Sequence, residues 1–296
     1  MIKYIDAKHI LHRNKTKDWF GADYCVNLYR GCCHGCIYCD SRSECYQDYD
    51  FDTVKPKKNA IAILESELMH KRKTGIIDTG AMSDPYNPLE KNLKLTRQFL
   101  FLAQKYEFGV SVTTKGILIE RDIDILQEIS HNFPVICQMS ITTANDKQSS
   151  VLEPRAPVSS QRFHTLSELS KAGIFSGIVM MPVLPFLEDN EENILSIVRM
   201  AAEAGAKFIY PYFGVTLRQN QREYYLKKIR EIFPEHQYTK QYLKNYENQY
   251  ECISPHVSEL NRLFQSECRK YGILFKMESI ISEYQQKYQQ EQLSLI

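Results

Sequence analysis

Apolar positions along this chain follow two alternating patterns. Short runs rich in β-branched and apolar residues are separated by longer stretches of helical periodicity, and that alternation is the signature of βα units around a parallel sheet. The first pattern predicts strands over Tyr24–Leu28, Gly75–Met82, Gly109–Lys115, Val135–Thr142, Ser176–Val183 and Lys207–Phe213. The second predicts helices over Asn59–Lys73, Leu89–Tyr106, Arg121–Ile129, Ser159–Ala172 and Asn190–Ala204, several closed by Gly75, Gly109, Gly173 or Gly205. Six such units predict an α/β fold, a partial (β/α)6 barrel of the TIM type.

Side-chain parity adds a prediction about the interior, because alternate residues of a strand face opposite ways. Val110, Val112 and Thr114 share one face, opposite Ser111, Thr113 and Lys115. Val135, Cys137, Met139 and Ile141 share another, opposite Ile136, Gln138, Ser140 and Thr142. The apolar faces are expected to meet the helices. A closed barrel fills its interior with apolar layers, so two inward polar rows predict a wet cavity, or else strands exposed at a sheet edge. After Phe213 the pattern turns to helices rich in Lys, Gln, Glu and Tyr over Gln219–Phe233, Tyr238–Tyr250 and Pro255–Tyr271. A short strand over Ile273–Met277 and a polar helix to about Gln292 follow. This C-terminal helical extension, residues 216–296, is expected to cap a core of residues 18–215 rather than form an independent domain.

Composition narrows the class. The chain has 296 residues, 43% hydrophobic and 25% charged, which admits two domains or one large barrel. No apolar run approaches the roughly 20 residues of a membrane span, and the first nineteen residues hold no apolar core of a signal peptide; a soluble, cytoplasmic protein without membrane contact is expected. A net charge of +1 makes no demand for nucleic acid, despite basic groups at Lys55–Lys58 and Lys71–Lys73. The nine cysteines are the unusual feature, because six lie between Cys25 and Cys45. Disulfides would spread them in pairs through a small secreted chain.

Cys32, Cys36 and Cys39 form a C-x3-C-x2-C array on a glycine-bearing loop after the first strand. A structural zinc site takes four protein ligands, and Cys25, Cys33, His34 or Cys45 could supply the fourth. A cubane iron–sulfur cluster normally takes four cysteines; held by three, it leaves one iron open to an exogenous ligand.

This spacing, with an aromatic residue before the third cysteine, resembles the radical S-adenosylmethionine (radical SAM) superfamily. Over residues 18–215 the chain also resembles the spore photoproduct lyase-like branch, whose members carry the DNA repair photolyase designation. The matching segments are Asn27-Leu-Tyr-Arg-Gly-Cys32, Thr79-Gly-Ala-Met-Ser-Asp84-Pro-Tyr, Thr113-Thr-Lys115 with Arg121-Asp122, Leu152-Glu-Pro154 and Met181-Pro-Val-Leu-Pro185. The resemblance implies a six-unit barrel, a [4Fe–4S] cluster on Cys32, Cys36 and Cys39, and S-adenosylmethionine chelated to the open iron. It further implies reductive cleavage to a 5′-deoxyadenosyl radical, fed by a reductant such as flavodoxin or ferredoxin. Tyr38, Ser83, Asp84, Lys115 and Ser140 match residues near the cofactor, and Tyr38 is also a candidate in hydrogen transfer. Each has a structural alternative: Tyr38 as a loop-closing aromatic, Asp84 as a turn former, Lys115 as a lysine reaching solvent. Lys115 needs an anionic partner if buried, and the cofactor carboxylate is the expected one. Arg155 is either a ligand-binding cation or half of a surface ion pair.

Two departures separate the chain from the lyase. Ala81 stands where the lyase has a hydrogen-donating cysteine, and Asp40 replaces the tyrosine after the third cluster cysteine. Cys137, facing the helices, is a poor substitute donor. The branch implies damaged or modified nucleic acid as substrate, with cap tyrosines as stacking surfaces for an extruded base. A peptide or small metabolite as substrate, and a non-catalytic zinc-stabilised binding module, stay open. The terminal Gln292-Leu-Ser-Leu-Ile296 resembles the peptide that docks on the DNA sliding clamp.

Overall fold

The computed structural model describes residues 2–48, 50–80 and 82–294, with side chains of the last helix described as far as Tyr288. Seven strands form one sheet whose spatial order equals chain order: β1 (Leu11–Arg13), β2 (Tyr24–Val26), β3 (Ile76–Thr79), β4 (Gly109–Thr114), β5 (Val135–Ser140), β6 (Ser176–Met180) and β7 (Phe208–Pro211). β1 runs antiparallel to β2; every other neighbouring pair is parallel. The six predicted strands are therefore present as β2–β7, and the linear order leaves an open, partial barrel. β1 was not anticipated, because three residues carry no readable alternation.

Helices cover the outer face: α1 (Ala60–Met69), α2 (Leu95–Lys105), α3 (Ile123–Asn132), the short α4 (Asp146–Leu152), α5 (Ser159–Lys171) and α6 (Glu191–Glu203). Val110, Val112, Cys137, Met139, Ile178 and Ile209 of the strands pack with Leu64, Phe99, Leu126, Leu166 and Ile197 of the helices in one buried layer. Each such side chain contributes about 1.5–3 kcal/mol by leaving water. Cys137 is thus a core residue on the helix side, as its parity predicts.

The inner face differs from the expected wet cavity. Ile76, Ile136, Val179 and Phe208 pack there against Phe20 and against Ile280 and Tyr284 of the C-terminal helix. Above that plug, Asp78 accepts a hydrogen bond from Ser111 Oγ (2.8 Å), Ser111 Oγ accepts one from Gln138 Nε2 (3.1 Å), and Gln138 Oε1 accepts one from Thr113 Oγ1 (3.2 Å). The lower polar residues of the two rows satisfy one another in a dry network, with Ser111 and Gln138 fully buried. Only the upper members, Lys115 and Ser140, reach the strand ends. Burial pushes the Asp78 carboxyl up to about 7.

Other differences have local causes. Gly173 and Gly205 do close α5 and α6 in left-handed conformations (φ 76° and 78°), whereas α1 ends at Met69 and α2 at Lys105, so Gly75 precedes β3 and Gly109 begins β4 instead. The predicted helix Leu89–Tyr106 is split at Lys94, which takes φ 51°. The segment predicted as a strand at Ile273–Met277 makes a single bridge, Phe208 to Leu274. β8 (Gly214–Thr216) pairs antiparallel with β9 (Glu251–Ile253), so a division at 215/216 falls inside a strand. Between them lie α7 (Gln221–Ile232) and α8 (Tyr238–Tyr246); α9 (Val257–Lys270) and α10 (Met277–Ser294) follow. The cap is therefore split: α7, α8 and the β8–β9 ladder cover the cysteine loop, α9 packs on α6, and α10 plugs the barrel base. Among the described residues no helix is long and apolar enough to cross a membrane.

Candidate active site at the mouth of the barrel

The cysteine loop leaves the carboxyl end of β2, where parallel α/β folds place their chemistry. Backbone contacts pin it on several sides: Cys32 N–H donates to Phe51 O (2.8 Å), Ile37 N–H to Leu152 O (3.0 Å), and Arg155 N–H to His34 O (3.0 Å). Ser83 Oγ donates to Gly31 O (2.6 Å). Asp52 pairs with both Arg42 and Arg155 at 2.6 Å, each contact bracing the loop from outside. Arg155 is thus half of a surface ion pair.

Burial pushes the Cys32 thiol up to about 12, with the Asp84 charge adding to it. Cys36 is raised by burial against the opposing pull of Lys115, and Cys39 is raised by burial as well. Cys36 feels the charges of both Cys39 and Cys32, so the three sulfurs occupy one electrostatic neighbourhood. The residues considered as a fourth zinc ligand point elsewhere. Cys25 sits on β2 beside Asp78, Cys33 packs against the main core, His34 Nδ1 lies 3.5 Å from Asp84, and Cys45 contacts Ser43 and Arg218. Among the described residues no three His, Cys, Asp or Glu side chains are arranged around a single ion. The loop thiols are not gathered around one point either, so what they offer is donor chemistry: three thiols on one loop, the kind of ligand an iron–sulfur cluster takes.

Facing the loop is a buried group that the sequence patterns left unassigned. Glu153 accepts hydrogen bonds from Tyr38 Oη and from Arg162 Nη2, and Lys115 Nζ lies 3.7 Å from its Oε1. Lys115 also stands 5.7 Å from the Tyr38 ring centroid. Lys115 thus has an anionic neighbour within the protein. Burial works against the Glu153 carboxylate, but the charges of Arg162 and Lys115 prevail and hold it below the usual range. Arg162, fully buried, also donates to Ser140 O (2.9 Å) and Pro157 O (2.7 Å). Glu188, fully buried, accepts from Thr142 Oγ1 (2.8 Å) and Leu184 N–H (2.9 Å); burial pushes it up to about 8, so it stays protonated at neutral pH.

Asp84 ties the turn after β3 to β4: Oδ1 accepts from Tyr86 N–H and Thr114 Oγ1, and Oδ2 from Lys115 N–H. This is the turn-forming geometry of aspartate before proline, and it holds the carboxylate beside His34. The Ser140 hydroxyl makes no hydrogen bond among the described residues and faces the mouth with Lys115. Over all this lies α7, whose Gln221 Nε2 donates to Tyr38 O (2.9 Å). Arg42 stacks on Tyr224 at 4.5 Å, and Asp40 pairs with Arg218 (3.1 Å). Asp40 thus serves as a cap anchor. Ala81 and the segment Gln292–Ile296 lie outside what is described: residue 81 wholly, and the tail in its side chains and last two residues.

The family model of the Radical SAM superfamily matches residues 26–201. The chain is 30% identical over 221 residues to an uncharacterized protein of Mycobacterium tuberculosis (strain ATCC 25618 / H37Rv), covering 72% of this chain and 64% of that protein. It is 31% identical over 175 residues to an uncharacterized protein of Methanocaldococcus jannaschii, covering 58% and 64%. The matches thus span just under two thirds of these relatives' own length. Among solved structures, spore photoproduct lyase complexed with dinucleoside spore photoproduct superposes with a TM-score of 0.64 at 13% identity, over 86% of this chain and 76% of that one. The radical S-adenosylmethionine methyltransferase TsrM from Kitasatospora setae, with tryptophan substrate and SAM analog bound, superposes with a TM-score of 0.54 at 10% identity, over 81% and 51%. At those identities the structural likeness establishes a common fold, and the family match goes further: with its three-cysteine loop at the mouth of an open, mostly parallel barrel, the chain belongs to the radical SAM superfamily.

Proposed function

We propose that Cys32, Cys36 and Cys39 hold a [4Fe–4S] cluster, that S-adenosylmethionine binds beside it against Tyr38, Ser83, Asp84, Lys115 and Ser140, and that the enzyme acts on damaged or modified nucleic acid. The observation that carries the reading is the three-cysteine loop at the mouth of the barrel with the Lys115–Glu153–Tyr38 group beside it. When bound, cluster and S-adenosylmethionine together supply a 5′-deoxyadenosyl radical for hydrogen abstraction, the cofactor carrying the hard step. The chain's own residues do the rest. Lys115 favours the thiolate form of Cys36, Glu153 fixes Tyr38 Oη and the ammonium of Lys115, and the cap keeps water from the loop. The nucleic-acid substrate class draws its support from the fold shared with a lyase solved in complex with a dinucleoside.

Anaerobic reconstitution followed by electron paramagnetic resonance tests the cofactor assignment. The intact protein should give a cluster signal that changes when S-adenosylmethionine is added, and Cys32→Ala should lose it. Zinc without iron or sulfide on metal analysis would overturn the assignment. For the substrate, damaged DNA should raise 5′-deoxyadenosine formation. Failure to bind DNA or RNA at any salt concentration would sink the nucleic-acid reading and favour a peptide or small metabolite.

A further inference from the structure

We propose that the cavity beside the cysteine loop is a nucleotide site, with Lys57 receiving a phosphate, Asn27 receiving a hydrogen-bond donor of the base, and the half-buried Cys25 thiol on its wall; the inference deepens, and rests on, the nucleic-acid reading above. The cavity measures about 510 Å³, within the size range of small-molecule sites. Its position follows from parity. Tyr24 and Val26 of β2 pack into the helix-side core, so Cys25 and its partner across the ladder, His12 of β1, face the concave side. Gly31, Ser41 and Met82 complete the wall shared with the cysteine loop and the Ser83 turn. A ligand seated here adjoins the place proposed for the cofactor.

Two unmet polar groups say what that ligand is. The Lys57 ammonium has no carboxylate partner among the described residues, while the cations around it are paired: Arg30 and Lys55 with Asp48, and Lys58 with Asp6. Burial and the Arg30 charge both oppose the charge on Lys57, against the pull of Cys25 and Glu67 in its favour, so an anion there removes a standing cost. Asn27 Oδ1 is buried and accepts no hydrogen bond among the described residues, and an orphaned acceptor is destabilising until a donor reaches it. Ile5, Tyr29 and Phe51 line the same cavity and offer apolar surface. Anion, hydrogen-bond donor and flat apolar face occur together in a nucleotide. An apolar peptide side chain has no anion for Lys57, and inorganic phosphate has nothing for the apolar wall. Cys25 is close enough to Lys57 for each charge to act on the other, so its reactivity reports on whatever occupies the cavity.

The test uses the full chain with its cluster assembled. Alkylation of Cys25 by iodoacetamide, resolved from the other cysteines by peptide mass mapping, is followed with the four nucleoside 5′-monophosphates, with a mixed-sequence single-stranded oligonucleotide, and with inorganic phosphate. Slowed alkylation with the monophosphates supports a free nucleotide as ligand; slowing with the oligonucleotide alone supports a nucleotide within a strand. In Lys57→Met the concentration giving half-protection should rise about tenfold, the loss of one charged hydrogen bond, and Lys57→Arg should restore it, with circular dichroism unchanged in both. Absence of protection by any nucleotide, equal protection by phosphate alone, or protection indifferent to Lys57→Met overturns the proposal. The outcomes separate it from the function above. A cluster that forms and cleaves S-adenosylmethionine without Cys25 protection leaves that function standing and removes the cavity's role; protection in a chain that never assembles a cluster does the reverse.

Discussion

Glu153 concentrates three partners on one carboxylate in the interior, two of them cations. Removing one partner of a buried pair leaves an uncompensated charge, which costs about 3–5 kcal/mol. Glu153→Ala should therefore lower unfolding free energy by that amount in urea titrations, because Arg162 would stay buried without its carboxylate. The pH dependence has a fixed sign. The folded carboxyl lies below its ordinary value of 4.5, so its stabilisation is fully present above that value and is lost as pH falls through the folded one. The gap between wild type and Glu153→Gln should narrow under acid and be widest near neutrality. The spacing of Cys32, Cys36 and Cys39 was readable because three ligands on one loop leave a local signature. Glu153 was quoted only inside a motif, since its meaning depends on Tyr38, 115 residues earlier in the chain. That a buried ammonium at Lys115 needs an anion follows from chemistry alone, but only the folded chain brings it beside Glu153.

The strands show the same division. Period-two patterns located β2–β7 because each is buried and several residues long, while β1 and the β8–β9 ladder are too short to alternate visibly. Parity also sorted Cys137 from Ser140, yet it could not tell a wet row from a dry one, which depends on whether facing strands satisfy each other. Asp78 makes that difference measurable. Its folded carboxyl, at about 7, lies above the ordinary 3.8, so the folded state holds a proton that the unfolded chain releases. The stability this provides is full below 3.8 and is lost as pH rises through about 7, at about 1.4 kcal/mol per pH unit in between. Asp78→Asn keeps an oxygen to accept from Ser111 and carries no charge. Its denaturant midpoint should fall less steeply between pH 5 and 8 than that of the wild type, the slope that stays coming from Glu188, whose carboxyl burial holds up to about 8, so the variant should gain stability relative to the wild type as pH rises toward 8. Equal slopes in wild type and variant would mean that the network is open to water.

At the scale of the whole molecule, the C-terminal third closes the barrel at both ends, and the two closures should be separable. α7 reaches the cysteine loop through Gln221, buried and donating to Tyr38 O, and through the apolar cluster in which its Tyr225 and Ile229, with Tyr242 of α8, pack with Ile37 and Leu152. α10 reaches the base through Ile280 and Tyr284, whose hydroxyl donates to Phe20 O (2.5 Å). Gln221→Met keeps the volume but leaves Tyr38 O without its donor, a cost of about 1–3 kcal/mol, and it loosens the cover where solvent would meet the loop. Tyr284→Phe removes two hydrogen bonds at the base, one donated to Phe20 O and one accepted from Gln285 Nε2, a loss of about 1–3 kcal/mol, and touches nothing near the cysteines. The two variants should therefore melt at similar temperatures and differ in the half-life of the assembled cluster toward a chelator, shortened in Gln221→Met and unchanged in Tyr284→Phe. Chelator traces that shorten equally in both would mean that the base plug and the cap open as one unit. The sheet between them would then transmit the opening, against the separation drawn from their two distinct apolar clusters.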